Sequence, residues 1–182
     1  MALASGLACN GNQGMPLPHG HMRIGIPMDS VVTLNPDTSQ QLPFAFEHNA
    51  SAHWEGRKES GWGDLVYPDL QARIAFTYKS VKGQLPRLID DAFTLAYKHN
   101  IVADGMTQHV YSHPEVDVHG LLFAIQGNAA SATQWFATDS SSHFLRAATS
   151  IYARPNKDSL APVNAFLQQE MERIMESLIW VD

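Results

Sequence analysis

Only one cysteine, Cys9, stands among the 182 residues. That excludes an internal disulfide framework and any structural zinc site built from several thiolates. Basic residues are also scarce: 12 Lys and Arg against 18 Asp and Glu leave a net charge of -6. No basic block could track a phosphate backbone, so nucleic acid is not an expected partner. No apolar run reaches the roughly 20 residues of a bilayer-spanning helix, so the given sequence is not expected to cross a membrane. Internal repeats, low-complexity tracts and a linker between halves are absent too. What remains, 45% hydrophobic and 16% charged, has the composition of one globular domain.

The position of the cysteine says more than its number. Met1–Ala8 (MALASGLA) is a run of small and apolar residues ending at Cys9, and a polar, Gly-rich stretch, Asn10–Gly14, follows. This order resembles the end of a lipoprotein signal peptide, in which the cysteine sulfur is acylated and the next residues form a tether. No Lys or Arg precedes the run, and it is shorter than a translocon signal, so the true start is expected upstream. The plain alternative is a free thiol in a frayed terminus. On the lipid reading, residues 1–8 are a signal remnant, 9–20 the tether and 21–182 the folded domain. Several acyl chains, at about 0.8 kcal/mol per buried methylene, would anchor it lastingly.

Periodicity gives the elements. His21–Pro27 (HMRIGIP) and Pro43–His48 (PFAFEH) read as short strands, the second with Phe44 and Phe46 on one side. Asn35–Gln41 is a turn-rich loop, and Asn49–Asp64 a connector that carries Trp54 and Trp62. Leu70–Val81 alternates as a strand. The period then switches: Leu85, Leu88, Ile89, Ala92, Phe93 and Ala96 mark an amphipathic helix at about 84–100, with Pro86 in its first turn and Asp90 and Asp91 facing water. Met106–His113, Val116–Gln126, Thr133–Thr138 and Ser142–Tyr152 follow as an antiparallel meander. A second helix at about 160–179 carries Val163, Phe166, Leu167, Met171, Ile174 and Leu178 as its stripe, with Asp158 or Ser159 as cap and Pro162 in its first turn. The expected fold is α+β, one twisted antiparallel sheet covered by helices.

From Gly120 the sequence reads GLLFAIQGNAASATQWFATDSSSHFLRAATSIYARPNKDSLAPV. Three blocks stand in order: Gly127–Ser131 followed by Gln134; Thr138–Ser140 with His143–Arg146; and Pro155–Asn156 with Asp158–Ser159. Together they resemble the carboxy-terminal signature of the gliding motility lipoprotein GldD family. Upstream, AFTLAYKHN at Ala92–Asn100 resembles the family's helix before a Lys-His pair. PLPHGHMRIGIP at Pro16–Pro27 resembles the stretch after its lipidated cysteine, a register that makes Cys9 the acceptor. Ala147 stands where Gly is expected and Ala132 where Pro is expected, which puts local turn geometry in question. The resemblance implies a lipoprotein of a Bacteroidetes-type cell envelope, anchored by lipid, facing the periplasm and required for gliding and the associated protein-secretion machinery. Its partners would be protein components of that apparatus. It brings no catalytic activity, no cofactor and no metal, and its arrangement is similar to the PsbP/Mog1-like fold.

Several residues invite sharper readings. His109, His113 and His119 have even separations, but Pro114 breaks their register and no HExxH is present, so surface histidines are the better account. Asp139, Ser140–Ser142 and His143 contain the residue types of a serine hydrolase, yet triad members seldom adjoin in sequence and no G-x-S-x-G elbow exists. A Ser/Asp turn between strands explains them. Arg146 occupies a strand position where an apolar residue is expected, and an ion pair with Asp139 or Asp158 is the preferred explanation. Gln134, Asp139, His143 and Arg146 are therefore a candidate polar cluster for interaction or structure. Trp54, Trp62, Trp135 and Trp180 are more often core than contact residues, although the first two lie in a polar loop, where an exposed pair would make a docking site. Two rivals to the adaptor reading remain: a periplasmic small-ligand-binding module around Gln134, Asp139 and Arg146, and a hydrolase using His143.

Overall fold

Period-two stretches become strands and period-3.6 stretches become helices in the structure, a computed structural model that describes residues 25–35, 42–99, 103–127, 131–152 and 157–181. In chain order the strands are β1 (Val31–Leu34), β2 (Phe44–Asn49), β3 (His53–Gly56), β4 (Gly63–Tyr67) and β5 (Ala72–Ser80), followed by helix α1 (Leu85–His99). Strands β6 (Ala103–His113), β7 (Val118–Gly127), β8 (Thr133–Thr138) and β9 (His143–Ile151) come next, then helix α2 (Lys157–Glu176) and β10 (Ile179–Trp180).

Seven strands form one antiparallel sheet in the order β3-β4-β5-β9-β8-β7-β6. It consists of two meanders joined where β5 pairs with β9, and α1 carries the chain from the middle of the sheet to its far edge. A smaller antiparallel sheet, β1-β2-β10, lies beside α2. The α+β class and the antiparallel sheet with helices hold, and the second sheet is an addition to the single one expected.

Alternation assigns each strand two faces. Ile74 and Phe76 of β5, Trp135 and Ala137 of β8, and Leu145 and Ala147 of β9 pack toward β2 and the stripe of α2. Phe136 and Phe144 point the other way, where Phe123 joins them beneath Leu88, Ala92 and Ala96 of α1. Each fully buried large side chain contributes about 1.5–3 kcal/mol, so the two helices hold opposite faces by ordinary burial. An aromatic cluster locks the small sheet on: Phe46 stacks on Phe76 with ring centroids 5.1 Å apart and 19° between planes.

Four expectations change. Gly25–Pro27 has no strand, residues 21–24 lie outside the described residues, and the first described strand is Val31–Leu34. The expected Asn49–Asp64 connector contains the β3–β4 hairpin, whose outer strand is short and mostly exposed and so lacks an alternating apolar signal. The last helix stops at Glu176, three residues before the expected end, and Ser177 Oγ, which donates to Arg173 O at 2.8 Å and accepts Glu47 N–H at 2.9 Å, ties the exit to β2. Ile179 and Trp180 then pair with β2. Pro162 lies inside α2, which begins a turn earlier than its position suggests. Residues 36–41, 100 and 156 lie outside the described residues, as do the side chains of Asp158 and Ser159.

Candidate functional site

The tight β8–β9 turn is held by one carboxylate. Asp139 Oδ1 accepts backbone N–H groups from Ser141 at 3.0 Å, Ser142 at 2.8 Å and His143 at 2.8 Å. Its Oδ2 accepts the Ser141 hydroxyl at 2.9 Å. Burial works against the ionised form, but these donors outweigh it and hold the Asp139 pKa below its ordinary value of 3.8. The turn expected from the Ser/Asp composition is therefore what these residues build, with Ser140 in the left-handed region at φ 68°.

His143 begins β9 on the α2 face. Its Nδ1 shares a hydrogen bond of 2.8 Å with the Tyr78 hydroxyl, and its ring stacks on Trp180 at 5.0 Å and 10°. Trp180 Nε1 donates to Asp117 O at 3.0 Å. Imidazole, phenol and indole thus clasp the main sheet to the end of the small one. Burial, aided by the Asp139 charge, raises the Tyr78 pKa. Sequence reasoning missed Tyr78 and Trp180 as partners, since each is far from His143 along the chain.

Gln134 and Arg146 occupy the opposite face. Arg146 Nη2 donates to Gln134 Oε1 at 2.5 Å, and Gln134 is 1% exposed. The expected ion pair with Asp139 does not form, because the Asp139 oxygens are taken by the turn. The Asp158 side chain lies outside the described residues. Among the described residues Arg146 has no carboxylate partner, and burial lowers its pKa. The four polar residues therefore form two separate pairs, Asp139–His143 and Gln134–Arg146.

A family model described as gliding motility lipoprotein GldD matches residues 11–180. The chain belongs to the GldD gliding motility lipoprotein family. No curated protein matches the sequence. The family gives this chain a role in gliding motility and a membrane-anchored place in the cell envelope. Among the described residues no helix is long and apolar enough to cross a membrane. Cys9, the expected lipid acceptor of this GldD-family chain, lies outside both the described residues and the matched range.

Two of the three candidate histidines make local contacts. His119 meets Ser112 at 2.9 Å and Asp117 at 3.2 Å, while His113 lies 3.8 Å from Glu115. Among the described residues no three His, Cys, Asp or Glu side chains gather as a metal site would. Trp54 and Trp62 do not form an exposed pair. Trp54 is half-buried against Phe44, Phe46 and Phe76, its indole lying where a Gly63 side chain would be. Trp62 is half-buried as well and donates Nε1–H to Tyr78 O at 2.7 Å.

Proposed function

We propose that this GldD-family chain is a lipid-anchored, non-catalytic adaptor, tethered through Cys9, facing the periplasm and serving the gliding apparatus and its associated protein-secretion machinery. The observation that carries the adaptor reading is the outer edge of the seven-stranded sheet, which no other strand pairs among the described residues. Strand β6 ends the strand order, pairs with β7 and spans 11 residues. Thr107, Gln108, His109 and Val110 are exposed, Val110 at 85%. Long edges are usually guarded by charged residues, Pro or bulges; here the one acidic residue, Asp104, and the pairing irregularity lie at the start of the strand, and Gly105–His113 contains no Lys, Arg, Asp, Glu or Pro. An extended segment of a protein partner can add there as an eighth strand, with backbone hydrogen bonds supplying affinity and alternate side chains the register.

The non-catalytic part draws support from how the suspect residues are used. The Ser141 hydroxyl donates to Asp139, and the His143 ring is engaged by Tyr78 and Trp180. These bonds stiffen a hairpin and join two sheets. The anchor reading draws on the Met1–Cys9 pattern and on the lipoprotein character of the family.

Two variants in the native cells test the two parts separately. With Cys9→Ser, the chain is expected to leave the membrane fraction and its amino-terminal peptide to lose the acyl mass; unchanged fractionation would defeat the anchor. With Val110→Lys, an exposed change, the chain is expected to melt as wild type while gliding and co-purification of gliding-apparatus proteins are lost. Retention of both would defeat the adaptor reading.

A further inference from the structure

Beside α1, on the sheet face that carries Arg146, lies a cavity of about 240 Å³. Its floor is the β5–β9 pairing, where Thr77 stands directly opposite Arg146 and Lys79 opposite Phe144. One side is the α1 surface made by Leu88, Ala92 and Leu95, and Trp62 forms another part of the lining. The walls are thus mostly apolar, and the charged groups are two cations, Lys79 and Arg146, with a single carboxylate, Asp91.

Two features show unspent hydrogen-bonding capacity. A guanidinium has five N–H donors. In Arg146 the bond to Gln134 uses Nη2, and among the described residues no carboxylate answers the rest. Gln134 Nε2 is itself buried without a partner. A half-buried guanidinium held in place by a buried amide, at a strand position flanked on its face by Phe136 and Phe144, is costly for the fold alone. The volume falls below the roughly 300–1,000 Å³ of sites for drug-sized ligands, so the occupant is small.

We propose that this cavity binds a carboxylate carried on a small apolar group, with Arg146 as its anion-binding residue, Lys79 as a supporting cation, and Trp62, Phe144 and the α1 leucines as the apolar pocket. The planar fork of Arg146 matches a carboxylate in a way that a lysine would not. Such a group could come from a free organic acid or from the carboxy-terminal residue of a peptide. The site is independent of the β6 edge, so the adaptor reading and this one can fail separately.

The test is calorimetric titration of the full chain with phenylacetate and, separately, with a short peptide ending in phenylalanine as its free acid. Phenylacetamide and the amidated peptide are the neutral controls. Saturable binding of at least one acid, weakened about tenfold or more in its amide, is the expected result. A tighter fit for phenylacetate would identify a free acid as the source, and a tighter fit for the peptide a chain end. Arg146→Met is expected to weaken binding about tenfold or more, as the loss of a charge-assisted contact implies. Leu95→Glu, at an exposed helix position, places a competing carboxylate at the rim and is expected to do the same with the fold intact, so the test stands if Arg146→Met unfolds. No saturable binding of either acid, equal affinity for the amides, or affinity unchanged by Leu95→Glu would overturn the proposal.

Discussion

Tyr67 donates its hydroxyl to Glu170 Oε2 at 2.9 Å, joining the end of β4 to the middle of α2. The same oxygen accepts Asn49 N–H at 2.8 Å, and Arg173 Nε lies 3.4 Å from Oε1. Glu170 is 1% exposed, so this carboxylate is an internal joint between the two sheets and the helix. Removing it orphans a buried phenol and a backbone N–H together. Glu170→Ala is expected to cost about 3 kcal/mol or more, and Tyr67→Phe about 1–3 kcal/mol, by chemical denaturation.

The same contact sets an alkaline limit. Burial, then the Glu170 charge and hydrogen bond, raise the Tyr67 pKa far above its ordinary value of 10.0. The folded state therefore holds a proton that the unfolded state releases above about pH 10. This stability is full below that value and is lost as pH climbs toward the folded pKa. Melting temperatures measured from pH 8 to 11 are expected to fall at the upper end, and less steeply in Tyr67→Phe.

Asp139 gives the opposite dependence. Its donors lower its pKa below 3.8, so its contribution is full above that value and is lost as pH falls through the folded pKa. Asp139→Ala, which leaves three backbone N–H groups to solvent, is expected to cost about 1–2 kcal/mol at neutral pH and less at pH 2, by denaturation at both.

Gly120 of β7 lies beside the Phe136 backbone of β8 and the Met175 side chain of α2. A Cβ there would strike the Phe136 carbonyl oxygen and come within 2.8 Å of Met175 Cε. The flexible methionine can yield, but the neighbouring strand cannot. Gly120→Ala is expected to destabilise by about 1–3 kcal/mol, seen as a lower melting temperature.

Where local chemistry decides, the sequence was readable. Thr133–Thr138 matches its expected strand at both ends, bounded by turns, and the helix around Ala92 falls within two residues of its expected span. The Asp139 turn was readable because its bonds reach at most four residues along the chain. The β3–β4 hairpin was not, since an exposed edge strand carries no apolar alternation. Strand β10 was hidden because Leu178 continues the stripe of α2 past the helix end. The His143–Tyr78–Trp180 clasp depends on strand order, which periodicity does not give. Glu170 did leave a signal: it occupies a stripe position between Leu167 and Met171, where a charge calls for buried partners.

The adaptor claim is tested most directly by placing a photo-crosslinking amino acid at Val110 of the full-length chain in gliding cells and identifying what it captures. A discrete adduct with a protein of the gliding apparatus is expected, its crosslinked peptide running beside β6, and no such adduct from exposed Asp90 on α1. An uncrosslinked chain at position 110 in actively gliding cells, with capture of the apparatus from Asp90 instead, would contradict it.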